Sequence, residues 1–286
     1  MTGPDKRLNA WRDDLADRRL EGRVEAARFV DGAPAMVMAP RAGLRSRPDA
    51  GMGYCSEALF GDVVDVFETR DQWAWVQMQK DGYVGYMRAN VLAREFAAPT
   101  HRICVTSTLV FREPDLKSQP ARPLYLNSRV RVSERTGDWT GLATGGFVYA
   151  AHLSDCKTFS HDPVNVALDF TGTPYLWGGS SAAGLDCSGL VQQAFHACGQ
   201  PAPRDSDMLE KQLGRAIEIT GDNPARRGDL VFWDGHAGMM CDAENLLHAN
   251  GFHMAVRVEN FAKARERIAK AYGSQPRFRR VYGNKQ

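Results

Sequence analysis

One cysteine of six stands where it could act as a nucleophile. Cys55, Cys104, Cys156, Cys187, Cys198 and Cys241 are scattered along the chain, and only Cys187 falls at the first turn of a segment that reads as a helix, within Asp186-Cys187-Ser188-Gly189-Leu190. Backbone N–H groups and the helix dipole at such a start favour a thiolate. Asp186 occupies the N-cap position, where its carboxylate can tie the opening turn. A nucleophilic thiol needs a base, and the base needs an orienting group. His236 and His248 supply both, on two strand-like runs joined by Asp242-Ala243-Glu244. With the hairpin centred near residue 242 the two imidazoles are cross-strand neighbours on one face, and a bulge shifts that register by a residue. The chemistry such a set performs is acyl transfer through a thioester. The other five cysteines read as small buried hydrophobes. No C-x-x-C pair and no Cys/His cluster at zinc-finger spacing occurs, so neither disulfides nor a metal or organic cofactor is expected.

The elements that must position these groups follow from the pattern around them. Asp162-Pro163 opens a short helix that ends before Gly172. Ser188 to Cys198 reads as a second helix, with Leu190, Val191, Ala194 and Cys198 on one face and Gly199 as its stop. Ser206 caps a third that stops at Gly214. The remainder is strand-like: residues 230–233, 236–240, 246–249 and 254–259. Helices followed by a run of strands make this an α+β domain.

Upstream the texture differs. Residues 1–36 are charge-dense, and Leu8, Trp11, Leu15, Leu20, Val24 and Phe29 fit a broken helical stripe, hence an N-terminal helical arm. From Val37 short β-type runs alternate with Gly, Asp and Asn, the pattern of small all-β barrels. Val64, Val66 and Trp73 are matched without gaps by Val130, Val132 and Trp139, and Tyr86 and Leu92 by Phe147 and Leu153 at a shorter offset. Two copies of one barrel result, the first carrying an insertion around Lys80 to Val84. The expected organisation is an arm (1–36), a first barrel (37–95), a second barrel (96–157) and the α+β domain (158–286).

Composition excludes several classes. The chain has 286 residues, 43% of them hydrophobic and 24% charged, with 36 Lys+Arg against 34 Asp+Glu. That is globular, and the net charge of +2 gives no electrostatic footprint for nucleic acid. No uncharged apolar stretch approaches the roughly 18 to 20 residues of a membrane span. The first 25 residues carry twelve charged side chains and no apolar h-region, so no secretory signal is read and a cytoplasmic location is expected. Oligomeric state stays open.

At this point the residues resemble the NlpC-type family of papain-like cell-wall peptidases. The likeness rests on Tyr175-x-Trp177-Gly178-Gly179, Asp186-Cys187-Ser188-Gly189, Gly228-Asp229-Leu230-Val231-Phe232, Gly235-His236-Ala237-Gly238 and Leu247-His248-Ala249, in the order Cys, His, His. The two barrels look like bacterial SH3-like modules, and the combination is similar to cytosolic γ-D-glutamyl-L-diamino-acid endopeptidases that recycle murein peptides. The resemblance implies a papain-like fold, with Cys187 as nucleophile, His236 as general base and acid, His248 as its orienting group, and Tyr175 at the oxyanion site with the Cys187 N–H. It implies that Asp186, Ser188, Asp205 and Ser206 read the free L-Ala amine and the D-Glu carboxylate of a murein stem peptide, beside Trp177. In similar enzymes a Glu and a Tyr of the first barrel close the S2 end of the site, for which Glu57 and Tyr83 are the candidates. On the repeat alignment Tyr83 falls in the insertion, as a residue kept for substrate would, and Tyr86 matches Phe147. Pairing Gly82-Tyr83-Val84 with Gly146-Phe147-Val148 instead makes Tyr83 the barrel residue. An acyltransferase or amidase on another substrate would use the same Cys and His pair. An inactive murein-fragment-binding module would not need it.

Overall fold

The computed structural model describes residues 3–281. The chain divides into two compact units, with the boundary between Thr158 and Phe159.

The first unit is built almost wholly of strands. The helical arm expected over residues 1–36 is not there. The segment instead contains the two-residue strands Ala16–Asp17 and Phe29–Val30, paired in parallel, and a single 3₁₀ turn at Arg18–Leu20. Its acidic residues explain the difference, because short carboxylates bond the local backbone in non-helical conformations: the Asp17 carboxylate accepts from Arg19 N. Its apolar residues are used sideways, with Ala10 and Leu15 packing on Phe67 and Trp75 of the adjoining sheet. Gln77 donates to Leu8 O and Val84 N to Arg7 O, so the segment extends the barrel's hydrogen bonding.

The expected boundary at residue 37 also moves. Strand Ala33–Val37 belongs to the barrel, pairing with Val63–Arg70 and Leu92–Ala93 in a five-stranded sheet completed by Trp73–Met78 and Val84–Arg88. The hairpin Arg41–Leu44/Ser56–Leu59 closes over it. The second set of strands forms sheets of five and three around Ile103, Val110, Leu124, Val130 and Val148. Phe60, next to the first set's hairpin, is buried in this second core, which ties the two β-layers together within one unit.

The sequence repeat is visible in the register. Trp75 pairs with Tyr86 in the first set as Gly141 pairs with Phe147 in the second, which supports matching Tyr86 to Phe147. Tyr83 therefore lies in the inserted turn. It is also a core residue, 4% exposed and packed with Val64, Val76, Met78 and Met87, so it serves the barrel as well. Glu57 is fully buried and its carboxylate accepts from Arg41 at 2.9 Å.

The second unit is α+β. Helix α1 (Pro163–Leu168) is capped by Asp162 with proline at its first position. Helix α2 (Cys187–Ala197) starts one residue earlier than the sequence suggests. Helix α3 (Ser206–Gln212) has Asp205, not Ser206, at its N-cap position. An antiparallel six-stranded sheet runs in the order Arg215–Ile217, Arg277–Arg280, Leu230–Trp233, His236–Met240, Asn245–Asn250, Ala255–Asn260. Sequence reading missed helix α4 (Phe261–Tyr272), although Asn260 caps it and Gly273, with φ of +69°, ends it. Ala264 and Ile268 of α4 pack on Val231, Trp233, Met240 and Leu246. By strand alternation His236 and His248 project from that same face.

Candidate active site

Helix α2 places Cys187 at its first position, and a buried carboxylate fixes that start. Asp186 accepts from Gly189 N at 2.7 Å and from Gly178 N at 2.8 Å, joining the helix start to the preceding loop. Arg204 grips the same carboxylate with two nitrogens at 2.9 and 2.6 Å, and its guanidinium also donates to Ser188 Oγ at 2.8 Å. Arg204 is 1% exposed. Both oxygens of Asp186 and the hydroxyl of Ser188 are thus engaged within the scaffold. Gly189 is required here by close approach: a Cβ would lie 2.3 Å from Gly179 O.

The thiol is 6% exposed and lies against the backbone on either side of His236. Sγ is 4.0 Å from Gly235 O, and the Ala237 N–H is directed at it. Burial opposes the thiolate that the helix start alone would favour. Burial and the Asp186 carboxylate push the thiol up to about 12, against weaker opposing effects of the Ala237 and Ser188 N–H groups and Arg204. The helix-start charge is already answered by Asp186, so little remains to stabilise a thiolate. The other five cysteines, expected to be buried, are all partly exposed, and Cys187 is the buried one.

The turn is centred one residue later than the sequence expectation, which moves the cross-strand partner of His248 by two residues and keeps both histidines on one face. Met239 pairs with Leu247 and Met240 with Leu246, which sets Gly238 opposite His248 and makes His236 its diagonal neighbour. A Cβ on Gly238 would stand 3.3 Å from the His248 Cβ and 2.8 Å from Leu246 Cδ1, so the glycine makes room for the second imidazole. His236 Nε2 lies 2.8 Å from His248 Nδ1. His248 Nε2 lies 2.6 Å from Glu259 Oε1, and Arg267 of α4 donates to both Glu259 oxygens at 2.7 and 2.6 Å. Sequence reading did not find Glu259, Arg267 or Arg204.

Desolvation, the neighbouring His248 and Arg267 depress His236 to about 3, and burial depresses the fully buried His248 as well. Desolvation works to raise Glu259, but hydrogen bonds from Arg267 and His248 overcome it and hold the carboxyl at about 2. At neutral pH the site holds a thiol, two neutral imidazoles and an ionised carboxylate. A stability consequence follows. Between about 6.5 and about 3 the unfolded chain binds protons at His236 that the folded chain refuses, so this contribution is complete above about 6.5 and lost as pH falls. Glu259 acts in the same direction from 4.5 towards about 2. Urea midpoints should fall below pH 6.5, with a shallower fall in His236→Gln between 6.5 and 4.5; equal slopes in the two proteins contradict the assignment.

A cavity of about 440 Å³ opens beside the imidazoles, lined by Tyr175, Trp177, Trp233, His236 and Phe252 among others. Tyr175 is held by its N–H to Met254 O and by a bridge to Leu185, one residue before Asp186. Trp177 is 67% exposed on the rim. Asp205 and Ser206 are half-buried at the start of α3, brought towards the start of α2 by the preceding residue, Arg204. Asp229 of the Gly-Asp-Leu-Val-Phe segment has a scaffold role, paired with Arg280 at 2.7 Å in the interior.

Comparison with known proteins agrees with this geometry. Residues 172–271 match the model of the NlpC/P60 family, and residues 44–92 match that of the bacterial dipeptidyl-peptidase Sh3 domain. Dipeptidyl-peptidase 6 of Lysinibacillus sphaericus is 32% identical over 241 residues, 76% of this chain and 87% of the relative. The gamma-D-glutamyl-L-lysine dipeptidyl-peptidase of Bacillus subtilis (strain 168) is 28% identical over 234 residues, 70% of this chain and 76% of the relative. The crystal structure of an NlpC/P60 family protein from Bacillus cereus ATCC 10987 superposes with a TM-score of 0.71 at 20% identity, covering 87% of this chain and 100% of that one, a likeness of fold. The chain belongs to the NlpC/P60 family of peptidases and carries a bacterial SH3 domain ahead of its papain-like unit.

Proposed function

We propose that this chain is a cysteine endopeptidase that hydrolyses the bond between γ-D-Glu and the diamino acid of murein stem peptides with a free N-terminal L-Ala, releasing L-Ala-γ-D-Glu. The observation that carries the chemistry is the hydrogen-bonded line from His236 through His248 to Glu259, starting beside the Cys187 thiol. Support for the substrate comes from the family models matched by both units and from the activity named for the Bacillus subtilis relative.

In this reading His236 removes the Cys187 proton as the sulfur attacks the γ-carbonyl, so the thiolate exists only as the bond forms. The Cys187 N–H and Tyr175 hold the oxyanion. His236 then protonates the departing amine of the diamino acid and activates the water that hydrolyses the thioester. Asp186 and Ser188, held by Arg204, together with Asp205 and Ser206 at the start of α3, are the polar groups assigned to the substrate amine and D-Glu carboxylate. Trp177 forms a wall of the substrate groove. A free amine arises once stem peptides are released from the wall, which fits recycling in the cytoplasm. Among the described residues no helix is long and apolar enough to cross a membrane.

The test compares L-Ala-γ-D-Glu-L-Lys with its N-acetyl derivative. A blocked amine leaves buried acceptors unpaired, so kcat/KM should drop roughly 10²-fold or more on acetylation. Cleavage of both at similar rates removes the amine-reading part of the proposal, and cleavage of neither removes the activity.

A further inference from the structure

We infer that Glu259, clamped by Arg267, is a positioning residue that fixes the tautomers of both histidines and thereby reserves His236 Nδ1 as the base for Cys187. The inference rests on the cysteine-peptidase reading and adds to it a residue two imidazoles removed from the sulfur.

The argument is one of donors and acceptors. An ionised carboxylate can only accept, so the 2.6 Å contact from His248 Nε2 to Glu259 Oε1 requires the proton to be on Nε2. A neutral His248 then has no proton on Nδ1, which becomes an acceptor. The 2.8 Å contact between His248 Nδ1 and His236 Nε2 must therefore be donated by His236. With its own proton on Nε2, His236 keeps a lone pair on Nδ1, the ring nitrogen nearer its backbone. The thiol lies against the backbone that flanks His236, 4.0 Å from Gly235 O and with the Ala237 N–H directed at it, so Nδ1, the nitrogen nearer that backbone, is the one we assign to the sulfur. The reverse arrangement, with a proton on His236 Nδ1, would leave the thiol facing a donor and give it nowhere to send its hydrogen.

Arg267 makes the lock durable. Its two nitrogens bond both Glu259 oxygens at 2.7 and 2.6 Å, and its plane lies over the Phe252 ring at 4.3 Å. The carboxylate can neither rotate away nor readily take a proton. Because the pair has no net charge, it orients His248 without strongly favouring a cation there. The groups facing His248 are His236 on the hairpin partner, His253 in the following turn, Arg257 and Glu259 on the edge strand, and Arg267 on α4. During attack the Cys187 proton passes to His236 Nδ1, and the resulting imidazolium is held by its unchanged Nε2–H donation to His248. When the amine leaves, that proton goes with it, and the starting tautomers return.

The experiment reads tautomers and rates separately. In ¹⁵N-histidine-labelled full-length protein at pH 7.5, imidazole ¹⁵N shifts should report Nε2–H for both His236 and His248. In Glu259→Gln the side-chain amide can accept from or donate to His248, so both rings should show mixed tautomers. There kcat on the tripeptide should fall roughly 10²-fold, less than the roughly 10⁴-fold loss seen when a carboxylate touching the base itself is neutralised, with KM changed less than about threefold. Alkylation of Cys187 by iodoacetamide should slow in parallel. The double variant Glu259→Gln/Arg267→Met restores charge balance without the lock and should stay slow; recovery of the native rate there would show that charge, not tautomer, matters. A native His236 protonated at Nδ1 overturns the inference, as does a Glu259→Gln variant with native tautomers and native kcat. Native protein showing the expected tautomers and alkylation but no peptide hydrolysis overturns the peptidase reading while leaving the lock intact.

Discussion

Cys187→Ala lowers kcat on the tripeptide roughly 10⁴-fold or more and leaves the chain folded. The size of the loss follows from the way such groups act as one unit: without sulfur there is no thioester, and the His236 line has no proton to receive. Folding is preserved because the scaffold around the residue does not use the sulfur. Asp186 still caps through Gly189 N, and Arg204 still joins Asp186 to Ser188. Removing Sγ from a buried position should cost about 1 kcal/mol, readable as a small shift of the urea midpoint. Residual activity within tenfold of native would mean that another group attacks the peptide.

Arg204→Met destabilises the second unit by roughly 3–5 kcal/mol, because it leaves a buried carboxylate without its partner. Asp186 is 7% exposed and Arg204 1% exposed, so water cannot readily replace either. A Tm lower by roughly 10–20 °C corresponds to that loss in a unit of this size. Adding Asp186→Asn to Arg204→Met should recover part of it, since the uncompensated charge goes; recovery stays incomplete because an amide caps Gly178 N and Gly189 N less strongly. A single-variant shift below about 1 kcal/mol would show that the pair is not what holds the α2 start.

Much of this site was legible because its parts are local. A cysteine at a helix start, a capping Asp and a hairpin bearing two histidines can each be read from types and spacing, and all three stand where they were expected. The pairing moved by two residues because the turn centres at residue 243 and not 242, giving Met240↔Leu246, and Gly238 shows why the imidazoles still meet. Glu259 was not legible. In Ala255–Asn260 it follows exposed Arg257 and Val258 and looks like one more solvated charge. Only Arg267, from a helix that packs back on the sheet, turns it into the end of the line. The signals for that helix, Asn260 and Gly273, were present and were passed over because the preceding residues alternate like a strand. Burial of the thiol was equally invisible, and with it the desolvation that works against a preformed thiolate. The N-terminal segment misled for a related reason: Ala10 and Leu15 are apolar to meet Phe67 and Trp75, not to line a helix.

The measurement that would decide the mechanism is rapid-quench trapping of the acyl-enzyme during turnover of L-Ala-γ-D-Glu-L-Lys, followed by peptide mass mapping. The expected result is an L-Ala-γ-D-Glu adduct on the peptide containing Cys187, labile to hydroxylamine as a thioester is, and absent in Cys187→Ala. Turnover of the tripeptide with no adduct at Cys187, or turnover that persists in Cys187→Ala, would contradict it.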